Sequence, residues 1–171
     1  MKNKKLLAVS LLVFPLFVPA CDSGCKNPCR VDSGCPDFGG SYPLGVSVNL
    51  SECQDTGFVE SLELVVTSMS NGDDIELIGS LRFGNYPIAG DMRGHVCQAE
   101  GSSFPLKYGV ALAGSWATDE ATHTDSISGE FLVASEGGTA VFCGQYVHVT
   151  RWQDDSCTDI VTLYTSPDLC D

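Results

Sequence analysis

The chain has 171 residues, with 22 acidic side chains against nine basic ones, a net charge of −13, and nine cysteines. An acidic surface of this kind repels phosphate backbones and anionic head groups, which argues against nucleic-acid binding and against membrane adhesion through basic patches. The length suits one domain with its own core rather than two.

The first stretch in chain order reads as an address. Lys2, Lys4 and Lys5 give a positively charged start, and Leu6 to Val18 follow as an apolar run. Its length, and the prolines at 15 and 19, count against an ordinary spanning helix. Val18-Pro19-Ala20-Cys21 closes the run and resembles the lipobox of bacterial lipoproteins. That resemblance implies cleavage before Cys21, a diacylglyceryl group on its thiol, and anchorage in the bacterial cell envelope, at the outer or inner membrane and facing the periplasm or the surface. Asp22, beside the lipid site, would imply inner-membrane retention in some Gram-negative sorting systems. Plain secretion by cleavage of the same bond is the alternative. Cysteine parity favours acylation, because nine cysteines leave eight to pair once Cys21 carries lipid. Three of the nine basic residues lie before the cut and all 22 acidic ones after it, so the remaining 151 residues carry −16.

Residues 1–20 are thus expected to be a signal peptide, 21–39 a lipidated cysteine-rich tether, and 40–171 a single β domain. The tether is rich in Gly, Ser, Asp, Pro and Cys and poor in large apolar side chains. The disulfide candidates are Cys25, Cys29, Cys35, Cys53, Cys97, Cys143, Cys157 and Cys170. Their scatter suits bridges formed after export, and the connectivity is open. Three of the eight lie in the N-terminal segment, so complete pairing requires at least one bridge from that segment to the body. Zinc at Cys25, Cys29 and Cys35 is the rival reading, disfavoured by the lack of a CxxC pair or a nearby histidine.

From Gly40 the pattern turns to period-two alternation, the signature of strands with one buried face. Tyr42, Leu44, Val46, Val48 and Leu50 share one side; so do Leu62, Leu64 and Val66; and so do Ile75, Leu77, Gly79, Leu81 and Phe83. Further along come Leu106, Tyr108, Val110, Leu112 and Trp116, then Ile127, Phe131 and Val133, then Phe142, Tyr146 and His148, with a weaker run over 160–164. Asn71-Gly72 marks a tight hairpin, Gly101 and the pair Gly137-Gly138 mark turns, and the polar tract Thr118 to Asp125 marks a longer loop. About eight strands with hairpin-length connections predict an all-β, disulfide-stapled, antiparallel up-and-down meander. Closure as a small barrel is preferred to a β-sandwich because it removes exposed edges. Over about residues 38–165 the pattern is loosely similar to the lipocalin and calycin barrels, several of which are lipoproteins that hold apolar ligands. The opening Asp37-Phe38-Gly39-Gly40-Ser41-Tyr42 lacks the tryptophan of the lipocalin Gly-x-Trp, and no binding residues carry over.

Local signatures of catalysis are missing: no Gly-x-Ser-x-Gly elbow, no zinc helix, no phosphate-cradling loop. His95, His123 and His148 read as surface or rim residues, and the acidic groups at 73–74 and at 154, 155 and 159 as solvated turns, so no catalytic, cofactor or metal residues are expected. The aromatics Tyr108, Trp116, Phe131, Phe142, Tyr146 and Trp152 either fill a barrel or line it around one small ligand. The expectation is a membrane-anchored envelope lipoprotein with a non-enzymatic binding or interaction domain. Its expected partners are the membrane, through lipid on Cys21, and a small apolar ligand or an envelope protein. The alternative is a tethered or secreted hydrolase whose site is assembled from dispersed residues, with a histidine meeting a Ser, Asp or Glu at hydrogen-bond distance.

Overall fold

A computed structural model describes residues 27–53, 61–84, 86–89, 91–98 and 103–170 of the chain. The strands are β1 (Gly40–Ser51), β2 (Ser61–Asn71), β3 (Asp74–Phe83), β4 (Tyr86–Pro87), β5 (Met92–Val96), β6 (Leu106–Ala117), β7 (Thr122–Val133), β8 (Ala140–Arg151) and β9 (Ser156–Tyr164). Eight of them form a ring in which every neighbour is antiparallel: β1, β2, β3, β5, β6, β7, β8, β9 and back to β1. The short β4 adds two residues to the side of β3. The hydrogen-bonded ladder runs unbroken round the ring, so the fold is the closed meander and not the sandwich. Among the described residues no helix is long and apolar enough to cross a membrane.

Alternation sets the interior. Leu44, Leu64, Leu77, Leu81, Val96, Val110, Leu112, Ile127, Phe131, Phe142, Val161 and Leu163 point inward and are buried. Where β7 meets β8, Gly129 stands opposite Gly144, and a Cβ on Gly144 would come within 2.5 Å of the Phe142 ring. The glycine pair leaves room for that ring inside the curved wall. Val48 and Leu50 depart from expectation, at 51 % and 38 % exposed. Beyond Gly45 the described pairing of β1 is with β9 alone, and its register shifts between Val48 and Leu50, so the alternation no longer aims these side chains at the core. Phe83, at the end of β3, is likewise exposed. The hairpin after β2 is offset by one residue. Asn71 pairs with Asp74, and the two turn residues are Gly72, at a φ of +65° that glycine adopts without strain, and Asp73.

The largest difference lies before β1. The composition of residues 21–39 reads as a tether, yet from residue 27 onward this segment is part of the packed body. Strand β5 pairs with β3 from Met92↔Gly79 to His95↔Glu76, and beyond His95 the two strands part. Residues 28–31 fill the opening: Cys29 donates its N–H to the Val96 carbonyl (2.9 Å), Ile75 donates to the Cys29 carbonyl (3.1 Å), and Val31 donates to that of Asp73 (3.0 Å). A turn closed by the Cys29–Cys35 bridge follows, and then Phe38 inserts fully buried into the barrel. It stacks on Phe131 (centroids 4.8 Å apart) and tilts against Tyr108 (5.1 Å), while the Tyr42 hydroxyl donates to the Phe38 carbonyl at 2.9 Å. Bridging a gap in the sheet needs backbone groups and an aromatic anchor needs one side chain, so neither device raises mean hydropathy enough to stand out.

Two more bridges, Cys53–Cys157 and Cys143–Cys170, join the first and last strands to their surroundings. Cys97 is also disulfide-bonded, and six of the seven described cysteines pair with one another. Its partner therefore lies outside the described residues, as do Cys21, Cys25 and the signal peptide.

Candidate functional site

The two ends of the barrel differ. One is closed by residues 27–39; at the other the connections include 118–121, between β6 and β7, and 152–155, between β8 and β9. At this second end the inward positions of four consecutive strands change from apolar to polar. Antiparallel register brings them level: Trp116 opposite His123, His123 opposite Thr150, Asp125 opposite His148, and His148 opposite Asp159.

Asp125 is the centre of the group and is 1 % exposed. One carboxylate oxygen accepts from the Tyr146 hydroxyl and from His148 Nδ1, both at 2.7 Å, and the other accepts from Trp116 Nε1 at 3.0 Å. Burial pushes the Asp125 carboxyl up, but the hydrogen bonds from His148, Tyr146 and Trp116 outweigh it, so its pKa stays below the usual carboxylate value. Burial also raises the Tyr146 phenol far above its ordinary value, and the neighbouring Asp125 charge adds to that, so the hydroxyl remains a proton donor.

The chain of contacts continues outward. His148 Nε2 lies 2.9 Å from Thr150 Oγ1, and that oxygen lies 3.1 Å from His123 Nδ1. His148 Nδ1 donates to Asp125, and the Thr150 hydroxyl bridges the two imidazoles. His123 stacks on Trp116 with centroids 3.7 Å apart. Burial and the nearby His148 hold its pKa below the ordinary histidine value. Asp159, fully buried, accepts the Cys53 N–H at 3.1 Å and so ties the group to the Cys53–Cys157 bridge. Among the described residues no buried polar side-chain atom lacks a partner, and no cluster of three or more metal-binding side chains occurs.

At the rim the chain's only two tryptophans are partly open, Trp116 at 39 % and Trp152 at 44 %. Between the two loops runs a shallow open groove lined by Thr118, Asp119, Glu120, Arg151, Trp152 and Gln153.

Of the six aromatics singled out in the sequence, Tyr108, Phe131, Phe142 and Tyr146 are interior and the two tryptophans are at the mouth. His95 is exposed on β5, in keeping with a surface role. His148 and Asp125 depart from expectation. His148 is a buried interior residue, and Asp125 lies on a strand, since the loop is only residues 118–121 and β7 begins at Thr122. Asp159 is buried too, apart from the exposed Asp154 and Asp155. Comparison with protein-family models, with curated proteins and with solved structures finds no match for this chain.

Proposed function

We propose that this chain is an exported envelope lipoprotein, held to a membrane through acylated Cys21, whose barrel is a non-enzymatic binding module with its working surface at the polar mouth. The observation that carries the reading is the asymmetry of the barrel. One end is sealed by Phe38 and the Cys29–Cys35 turn, and the other presents two partly exposed tryptophans over a hydrogen-bonded polar floor. Aromatic rings with one wet face are the side chains that binding surfaces favour. Seven disulfide-bonded cysteines support export, because such bonds persist in oxidising compartments. The apolar lumen is occupied by Phe38, Tyr108, Phe131 and Phe142, so a ligand seats at the mouth rather than deep in the barrel.

Trp116 and Trp152 make the test direct, since all indole emission comes from the mouth. Titration with a panel of fatty acids, saccharides and peptides is expected to give a saturable change in emission for one class, abolished by Trp152→Ala. No saturable change with any class would sink the reading. Mass spectrometry of the mature N-terminus tests the anchor, with a diacylglyceryl adduct on Cys21 as the expected result.

A second reading, hydrolysis, is favoured by one observation. Asp125, His148 and Thr150 form a carboxylate–imidazole–hydroxyl chain with both links under 3 Å, the relation that activates a nucleophile in acyl transfer. Thr150 is only 5 % exposed, and its oxygen is already engaged by His123, which fits a structural role better. Ester turnover that disappears in Thr150→Val would establish the second reading over the first.

A further inference from the structure

The turns that join β6 to β7 and β8 to β9 close in the same way. The Thr118 N–H donates to the Ala121 carbonyl at 2.8 Å, and the Trp152 N–H donates to the Asp155 carbonyl at 2.9 Å. In the first turn the Thr118 hydroxyl also donates to the Ala121 carbonyl and accepts the Ala121 N–H. Strands β7 and β8 stay in register to their ends, with Thr122 opposite Arg151, so the two turns stand side by side. The groove between them has a volume of about 410 Å³, inside the range of about 300 to 1,000 Å³ that small-ligand sites span. Its walls are fixed by backbone hydrogen bonds.

The two tryptophans at this end are not equivalent. Trp116 is engaged in the fold, its Nε1 donating to Asp125 and its face stacked on His123. Trp152, which lines the groove, makes no indole hydrogen bond and no ring contact among the described residues, and 44 % of it is exposed. The other groove side chains are uncommitted as well. Asp119, Glu120, Arg151 and Gln153 are exposed and form no side-chain hydrogen bond or ion pair among the described residues.

The chemistry of that set selects a ligand class. Arg151 can only donate hydrogen bonds, Asp119 and Glu120 as carboxylates can only accept them, and Gln153 does both. An anion would lie against two carboxylates, a cation against the guanidinium, and an acyl chain would leave all four groups without partners. A peptide that binds by adding a strand needs a free sheet edge, and β7 and β8 are each paired on both sides. A hydroxyl donates once and accepts twice, so a molecule carrying several of them meets donors and acceptors together. The partly positive C–H face of a sugar ring also matches the negative face of an indole. We propose that the groove binds an uncharged saccharide, with a sugar ring laid on Trp152 and its hydroxyls shared among Asp119, Glu120, Arg151 and Gln153. This assigns a ligand class to the mouth and rests on the reading that the mouth is where the barrel binds.

Isothermal titration calorimetry tests it on the full exported chain, purified in a detergent without a sugar head group. The probes are cellohexaose, maltohexaose, mannohexaose and N-acetylated chitohexaose, set against trilysine, a sulfated oligosaccharide, a neutral peptide and palmitate. The expected result is saturable heat from at least one neutral saccharide, with an affinity unchanged as salt is raised, since an uncharged ligand is not screened. Trp152→Ala is expected to weaken that binding about thirtyfold, as for a central aromatic anchor. Gln153→Ala and Glu120→Gln, which remove nothing the fold uses, are each expected to weaken it about fivefold. Saccharide binding that all three variants leave unchanged would put the sugar elsewhere and overturn the proposal. Binding of a charged probe, the peptide or palmitate, lost in Trp152→Ala while no saccharide binds, would overturn the ligand class and leave the mouth as a binding surface. No heat from any probe would overturn both.

Discussion

The sealed end and the mouth are built on the same strands with the same inward parity, yet they are held together differently. At the sealed end Phe38, Tyr42, Tyr108, Phe131 and Phe142 make ring-to-ring contacts, and burial of apolar surface stabilises them without regard to direction. At the mouth the inward positions hold Asp125, His148, Thr150 and Asp159, all buried, whose desolvation is offset only by hydrogen bonds in one geometry. The first arrangement tolerates small shifts; the second does not. The difference marks the mouth as the place where the fold accepts a less forgiving construction.

Breaking bridges at each end gives the largest expected contrast. Replacing Cys53 and Cys157 by serine opens a loop spanning 104 residues beside the mouth, and chain entropy puts the loss near 5 kcal/mol. The same change at Cys29 and Cys35, six residues apart, is expected to cost about 2 kcal/mol. Urea midpoints of the two double variants measure the gap, and equal losses would contradict it.

Phe38→Ala is the next largest perturbation, at about 4 kcal/mol for a buried ring lost from a packed core. The indole emission maximum of the native state is expected to stay unchanged, because both tryptophans lie at the other end. A shifted maximum would mean that the two ends are coupled.

Asp125→Asn acts on the mouth alone. The amide oxygen can still accept from Tyr146 and His148, but its NH2 group then faces the Trp116 N–H, and a loss of about 2 kcal/mol at neutral pH follows from a buried charge-assisted bond removed. The acid limb changes shape as well. The folded-state pKa of Asp125 is lowered, so its contribution is present above the unfolded value of about 3.9 and is lost as pH falls through the folded value. His123 is lowered as well, so the folded state resists its protonation and stability declines as pH falls below about 6.5. Thermal melts from about pH 7 to about pH 3 should show both declines in the native chain and only the upper one in Asp125→Asn.

The smallest effect is expected on the outer wall. Lys107 pairs with Glu130 at 3.5 Å with both side chains substantially exposed, and Lys107→Ala should move the urea midpoint by less than about 0.5 kcal/mol.

Much of the barrel was legible in the chain because period-two alternation is a local property. Runs such as Leu62, Leu64, Val66 and Phe142, Tyr146, His148 state which face is buried without reference to any partner. The mouth was legible only in part. His148 fell on the inward parity of β8, whereas Asp125 sits in a tract of Thr, Asp, Glu and His that reads as a solvated loop. A carboxylate signals exposure unless its donors are known, and these come from strands β6 and β8.

Alternation and turn chemistry along the sequence determined an antiparallel meander with one buried face, because both act between residues a few positions apart. Tertiary structure alone decided that β9 closes on β1, that residues 28–31 fill the gap between β3 and β5, and that Trp116, Asp125, His148 and Thr150 share one network. Each of these depends on cross-strand register, and register is a relation between distant segments that no local pattern contains.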